Sequence, residues 1–192
     1  ITHLEGSLEQ ERFGLFVLPS SFSRAFAAWA LAELGEFDKG LAVGNEGVRL
    51  AQAADHPFTR GYAYLATGVV YLRKGDLTHP IPAFERGLAG GAFADIPVGF
   101  AFVAFHLGYA LVLGGRSSEG LAMLERTVQL AEEKHFVARH ALRLAYLSEA
   151  YLLAGRLGEA GAVAVRSLRH AREHGERANE AYALRLLGDL DI

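Results

Sequence analysis

Residues 147–160 read LSEAYLLAGRLGEA, and related stretches recur at 27–40, 67–80 and 107–120. Each stretch carries a glycine at its ninth position, so these glycines fall at one constant interval: Gly35, Gly75, Gly115 and Gly155. Small residues lie seven positions before and five positions after the glycine at nearly every recurrence. A fixed period of about 40 residues indicates a repeat array, in which each repeat is one supersecondary unit that stacks on its neighbours.

Each recurrence has the pattern of two helices joined by a tight turn. Apolar residues at three- and four-residue spacing precede each glycine, as in an amphipathic helix. The glycine then ends this helix, because the position after a helix often needs a positive φ that glycine adopts without strain. Residue types that commonly cap helices follow three positions later and predict where the second helix begins: Asp38, Thr78, Ser118 and Gly158. The small residues on both sides of the turn predict a close antiparallel approach of the two helices.

The predicted fold class is all-α, an α-α superhelix of antiparallel helix pairs that repeats with the interval of the glycines. The predicted helices span 21–34, 38–54, 58–74, 79–90, 98–113, 118–134, 138–154, 158–174 and 177–190. Pro80 and Pro82 predict that the second helix of their hairpin starts late or enters bent.

The chain is expected to form one domain, residues 1–192. Residues 1–18 would end a preceding repeat, with Ile1, Leu4 and Leu8 on the apolar positions of its second helix. Four hairpins and the start of a further repeat would follow, at 19–56, 57–96, 97–136, 137–176 and 177–192. Because both ends would then lie inside a repeat, we expect copies to associate through them, as a homodimer.

The repeats resemble the tetratricopeptide (TPR) repeat. The matching positions are Tyr64, Gly68, Tyr71 and Gly75 in the second hairpin, Leu107, Gly108, Gly115 and Gly120 in the third, and Leu147, Tyr151, Gly155 and Ala160 in the fourth. The period of about 40 residues departs from the TPR period of about 34 residues. The resemblance implies a TPR-like solenoid in which the first helix of each hairpin lines a concave inner surface.

A narrower resemblance covers nearly the whole chain. It is carried by the phrases ERFGLFVLPSSFSRAF, WALAELGEFDKG, AADHPF, YLRKGD, LSEAYLLAGRLGEA and ERANEAYALRLLGDL. These look like the C-terminal TPR region of large bacterial class III adenylate/guanylate cyclase proteins, in which an AAA-type ATPase precedes the repeats. The resemblance implies a cytoplasmic, regulatory part of a bacterial signal-transduction protein. It lies in the repeats alone and carries over no cyclase or ATPase residue.

By the same resemblance, the first helices present a stripe of mostly aromatic candidates for binding. These are Phe22, Phe26, Trp29, Tyr62, Phe102, Phe105, His106, Tyr109, Tyr146, Glu149 and Tyr182. Aromatic side chains are frequent anchors in binding surfaces. The alternative is that most of them pack between repeats, because a repeat must bury two sides in order to stack.

Composition excludes several function classes. The net charge of −3 argues against nucleic acid as a partner, and the absence of cysteine excludes disulfides, thiolate zinc sites and cysteine nucleophiles. Neither a P-loop nor a G-x-S-x-G nucleophile motif is present. His170 and His174 have a spacing that metal ligands can have, but no third ligand accompanies them at a fixed spacing. We therefore expect no metal, no cofactor and no enzymatic activity.

Residues 96–115 are uncharged, and their number alone would suffice to cross a bilayer. The segment nevertheless falls in phase with the repeat, which favours a buried solenoid helix over a membrane span. We expect a protein without a membrane partner.

Two functions remain open at this point. The first is a non-catalytic protein–protein interaction and regulatory module, whose partner is a protein or peptide segment, including the catalytic or ATPase domains of its own parent. The second is a ligand-sensing solenoid that binds a small molecule or peptide in its concave groove.

Overall fold

The computed structural model describes residue 4 and residues 6–89 and 96–190. These residues form a 3-10 helix, Gly6–Gln10, and the helices α1 (Pro19–Glu33), α2 (Phe37–Ala53), α3 (Pro57–Lys74), α4 (Pro80–Leu88), α5 (Pro97–Leu113), α6 (Ser117–Glu133), α7 (His140–Leu153), α8 (Leu157–Glu173) and α9 (Arg177–Asp189). No strand occurs in this part of the chain. The predicted helices differ from the observed ones by at most two residues at either end.

The helices divide into two compact units, residues 1–106 and 107–192. In the first unit α1 packs on α2 and on α3, and α3 packs on α2 and on α4. In the second unit α7 packs on α6, α8 and α9, and α8 packs on α9. The fold is therefore the predicted series of antiparallel helix pairs. The division of residues 1–192 into the hairpins given above stays a prediction.

The turn glycines have the conformation that their recurrence predicts. Gly35, Gly75, Gly115 and Gly155 all have φ between 73° and 85°. At the first of these turns, the N–H of Gly35 donates to Ala32 O at 3.1 Å, and the N–H of Glu36 donates to Leu31 O at 2.9 Å. This pair of bonds, the Schellman motif, satisfies carbonyl groups that the end of a helix leaves free.

The predicted N-caps are wrong. The residues that precede α2, α4, α6 and α8 are Glu36, His79, Arg116 and Arg156, and none of them makes a side-chain capping bond. The Schellman turn is the physical reason. The N–H of the residue just after the glycine donates to a carbonyl group of the first helix, and the second helix can start at the residue that follows. In three of the four hairpins the second helix begins two residues after the glycine; α4 begins later, at Pro80, as the two prolines predict.

Small residues bring paired helices into contact, as predicted. A Cβ built on Gly120 would lie 2.4 Å from the carbonyl oxygen of Gly108, and one on Gly40 would lie 3.2 Å from that of Ala28. In the fourth hairpin, Ser148 Oγ donates to Ala160 O at 2.9 Å. These side chains are small because the opposing backbone occupies the space.

Two terminal features complete the description. Gly6–Gln10 is a 3-10 helix and not the predicted end of an α-helix. Gly6 has a φ of 61°, which an α-helix does not contain. Of the residues predicted on the apolar positions of that helix, Leu8 is exposed and Ile1 lies outside the described residues. On α9, Leu184 is exposed and no heavy atom lies within 4 Å of a Cβ built on Gly188. Association of copies through such ends stays a prediction.

The uncharged segment forms α5, whose central residues are buried, as predicted. Within the described residues, no helix has both the length and the apolar character that a membrane crossing requires.

Candidate functional site

The predicted stripe of binding candidates separates into buried and accessible residues. Phe105, His106, Tyr109 and Tyr146 are at most 8 % exposed and lie inside the packing. The accessible candidates are Phe22, Phe26, Trp29, Tyr62, Phe102, Glu149 and Tyr182. The surface available for binding is therefore narrower than the sequence stripe, and a binding role for its residues stays a prediction.

In the first unit, five aromatic side chains form a connected group, named here the aromatic cluster: Phe16, Phe22, Phe26, Phe58 and Tyr62. Phe22 contacts Phe26 and Tyr62 with ring centroids 4.9 and 5.0 Å apart. Phe58 contacts Phe16 and Tyr62, both at 5.4 Å. All four contacts are edge-to-face, the arrangement that aromatic quadrupoles favour. Phe16 is 66 % exposed and Phe26 is 48 % exposed, so the cluster presents ring surface to solvent.

The segment that carries Phe16 is held in place at both ends. Arg12 donates from Nε and Nη2 to the carbonyl oxygen of Leu15, at 3.0 and 2.8 Å. The N–H of Leu18 donates to Thr59 Oγ1 at 2.9 Å, and Leu18 itself is buried. These bonds fix an exposed phenylalanine next to α1 and α3 without a helix of its own.

Trp29 lies farther along α1, on the same stripe. Its Nε1 donates to Glu33 Oε1 at 3.1 Å, and its ring meets that of His106 edge-to-face at 5.4 Å. Glu33 also accepts from Arg73 Nε of α3, at 3.1 Å. An aromatic ring and an ion pair between α1 and α3 therefore lie next to each other in this part of the first unit.

In the second unit the same stripe forms a polar group, named here the tyrosine–glutamate network: Tyr109, Tyr146, Glu149, Tyr182 and Arg185. Glu149 accepts from Tyr109 Oη at 2.7 Å, from Tyr182 Oη and from Arg185 Nη2 at 3.0 Å. The rings of Tyr109 and Tyr146 are stacked at 3.9 Å. The network joins α5, α7 and α9 through a single carboxylate.

The phenols of Tyr109 and Tyr182 do not titrate near neutral pH. Burial, followed by the neighbouring Tyr182 and Glu149, raises the pKa of Tyr109 far above its usual value. Burial and then the charge of Glu149 raise the pKa of Tyr182 in the same way. Both phenols therefore stay protonated and donate to Glu149, which makes the network a structural connection and not an acid–base pair.

Sequence analysis missed three of these residues. Phe16 lies in an irregular segment without helical register, and no pattern in the sequence pointed to it. Phe58 directly follows Pro57, a residue that is typical of the first turn of a helix, so the sequence could have placed Phe58 at the start of α3. Arg185 lies three residues after Tyr182 on the same helix face, and that spacing could also have identified it.

The histidines at the end of α8 do not form a metal centre in the described residues, where no group of three potential ligands occurs. The rings of His170 and His174 are stacked at 4.1 Å, and His170 meets His140 edge-to-face at 5.0 Å. These side chains pack on one another rather than converge on a common point.

Comparisons with known proteins identify the fold. Neither a protein-family model nor a curated protein matches the chain. The chain is similar to a solved structure of nearly identical TPR-like repeats, assigned to a kinesin light chain of Podospora anserina, with a TM-score of 0.63 and 15 % identity over 88 % of this chain and 93 % of that one. A single-residue variant of that protein gives a TM-score of 0.62 and 16 % identity over 88 % and 92 %. The fold is thus a TPR-like solenoid.

Proposed function

We propose that this chain is a non-catalytic protein-interaction module whose aromatic cluster receives an apolar segment of a partner protein. The observation that carries the proposal is the exposure of Phe16 and Phe26 within a connected set of rings. Exposed apolar groups that lie together are typical of interaction sites, and buried aromatic anchors dominate the energy of many interfaces.

The cluster is suited to this role because its rings are held before a partner arrives. Phe22 packs against Phe26, and Phe58 packs against Phe16. The bonds of Arg12 and Leu18 fix the segment that carries Phe16. An aromatic side chain that is already ordered loses little conformational freedom on binding. A partner segment with leucine, phenylalanine or methionine side chains fits this surface best.

The burial of Phe105 and His106 weighs against the alternative of a small-ligand groove at these positions. Phe105 is fully buried and His106 is 1 % exposed. A ligand would have to displace neighbouring rings to reach either side chain. Phe26, by contrast, is 48 % exposed, so a protein segment can contact its ring without displacing another.

The proposed biological setting follows from the resemblance to the repeats of bacterial class III cyclase–ATPase proteins. In that setting the chain is a cytoplasmic regulatory module for signal transduction, and its partner segment lies in the catalytic or ATPase domains of the same parent. Engagement of the aromatic cluster would then hold those domains in one activity state.

A site-specific photo-crosslinker at Phe26, introduced in the intact parent protein, tests the proposal. We expect one recurrent crosslinked segment, apolar in sequence, and loss of about tenfold or more of that product when Phe16→Ser is added. The matched control is the same crosslinker at Leu153, an apolar side chain of α7 that is 59 % exposed. Equal and unspecific crosslinking at both positions would refute the proposal.

A further inference from the structure

A cleft opens in the first unit beside the second helices, α2 and α4. Beside it α4 begins five residues after its turn glycine, whereas α2 begins two residues after its own, and an irregular stretch of chain at 76–79 precedes α4. The cavity measures about 380 Å³ and is lined by Asn45, Val48, Gln52, Tyr64, Thr67, Tyr71, His79, Pro82, Ala83 and Arg86. This volume lies in the range of about 300–1,000 Å³ that small-molecule sites occupy.

The lining residues form three parallel stripes. The stripe on α2 runs from Asn45 to Gln52, and the stripe on α3 runs from Tyr64 to Tyr71. The third stripe runs from His79, the N-cap of α4, to Arg86. Each of the three spans seven positions. Seven residues of helix rise about 10 Å, which sets the length of the cleft. Successive helices run antiparallel, so Tyr71 and His79 share one end of the cleft with Asn45.

That end is aromatic and rigid. The rings of Tyr71 and His79 are stacked at 4.9 Å. His79 Nδ1 bonds Asp76 Oδ2 at 2.6 Å, while the N–H groups of Thr78 and His79 donate to Asp76 Oδ1. These bonds fix the imidazole ring, so a planar group can stack or meet it edge-on without reorganisation.

The other end is cationic. Gln52 Nε2 donates to Tyr64 Oη at 2.8 Å, and Arg86 lines both this cavity and an adjoining one of about 320 Å³, together with Arg60. Arg60 pairs with Asp55, whose side chain is 91 % exposed, and within the described chain Arg86 forms no ion pair. None of the described lining residues of either cavity is aspartate or glutamate.

We infer that this cleft binds a small organic anion about 10 Å long, with a planar ring at Tyr71 and His79 and a carboxylate or phosphate at Arg86. A guanidinium without a competing carboxylate is the group that best recognises such an anion, through paired N–H donors. Val48, Pro82 and Ala83 give the apolar middle that a short aliphatic linker needs. The cleft shares no residue with the aromatic cluster, so this inference is independent of the proposed function.

An NMR titration of the full chain tests the inference with 4-phenylbutyrate, 3-phenylpropyl phosphate and the neutral 4-phenylbutanol. For a ligand of about 12 heavy atoms we expect a Kd on the order of millimolar for either anion, and at least about fivefold weaker binding of the alcohol. The amide shifts should fall on residues 45–52, 64–71 and 79–86. The tighter of the two anions identifies the preferred head group.

Two variants and a control sharpen the result. Arg86→Gln should weaken both anions about fivefold or more and leave the alcohol unchanged, whereas Ala83→Trp should fill the cleft and weaken all three probes. The control is Arg126→Gln, because Arg126 occupies the position equivalent to Arg86 one repeat later, on the full-length helix α6. Absence of shifts in the three stripes would overturn the inference, and so would equal affinity for the anions and the alcohol.

Discussion

His140 is a buried histidine whose surroundings oppose a positive charge. It lies at the start of α7 and meets His170 of α8 edge-to-face, and its Nδ1 atom is buried without a hydrogen-bond partner in the described residues. Burial, followed by the nearby His170, Arg143 and Arg166, lowers the pKa of His140 to about 4. Glu132 of α6 lies 3.8 Å from Nε2 and offers only a distant counter-charge.

The free energy of unfolding should therefore fall in mild acid. Between the unfolded pKa of about 6.5 and the folded pKa of about 4, the unfolded chain binds the proton more readily, so stability decreases as pH falls through this range and is level above it. The loss from His140 alone is up to about 3 kcal/mol. Urea unfolding of wild type and His140→Phe at about pH 7 and about pH 4.5 measures this contribution.

His135→Asn is the control for that experiment, because His135 is exposed and asparagine tolerates its φ of 54°. It should keep the acid sensitivity of the wild type, while His140→Phe should lose most of it. If both variants lose stability in acid as the wild type does, other groups govern the effect.

At the scale of the helices, left-handed turns in the described residues recur at half the interval of the four predicted glycines. Besides the four predicted glycines, Asp55, His135 and Gly175 also have positive φ, between 45° and 67°. The series thus runs 35, 55, 75, 115, 135, 155 and 175, and position 95 lies outside the described residues. One helix and its turn form the basic unit, and a hairpin is two of them.

Sequence analysis found only the longer period because, of the alternate turns at 55, 135 and 175, only the last has a glycine. A glycine after a helix indicates a left-handed conformation, whereas nothing in the sequence around Asp55 and His135 indicates that they adopt the same conformation. The helix spans were predictable, since apolar spacing and glycine both act locally. The burial of His106 was not, because it depends on rings such as Phe84, which lies 5.8 Å from it in space but far away in sequence.

Alanine substitutions at two neighbouring glycines test backbone strain and helix propensity separately. Gly155 has a φ of 73° and Gly158 lies in the first turn of α8, and a Cβ on either would meet no heavy atom within 4 Å. Gly155→Ala should destabilise by about 1–2 kcal/mol, since a left-handed alanine is strained. Gly158→Ala should stabilise by about 0.5 kcal/mol. Chemical denaturation followed by circular dichroism checks the opposite signs, and a shared sign would contradict the turn geometry.

At the scale of the molecule, the helices of the described chain pack mainly on their near neighbours in sequence. The most distant of these pairs, α1 with α3 and α7 with α9, are two helices apart. Stability in such an array is approximately a sum of local terms, so damage in one hairpin should remain largely within it.

Gly120→Ala tests this local character. Its Cβ would lie 2.4 Å from Gly108 O and 2.6 Å from Val112 Cγ2, so the two helices must separate, at a cost of about 1–3 kcal/mol. Amide exchange should accelerate in α6, Ser117–Glu133, and stay unchanged in α1. The control Gly87→Ala should change neither helix, because its Cβ meets its nearest atom at 3.4 Å. Uniform acceleration along the chain would show global cooperativity instead.

The regular spacing of the left-handed turns also limits how a gene for such a chain can change in length. Each helix reverses the direction of the chain, so a duplication that adds one helix would turn every later first helix into a second helix and place its small-residue contacts against the wrong neighbour. A duplication that adds two helices restores the direction and keeps all later contacts. Recombination should therefore lengthen or shorten such genes in steps of a whole hairpin, and products with an odd number of added helices should be lost by selection.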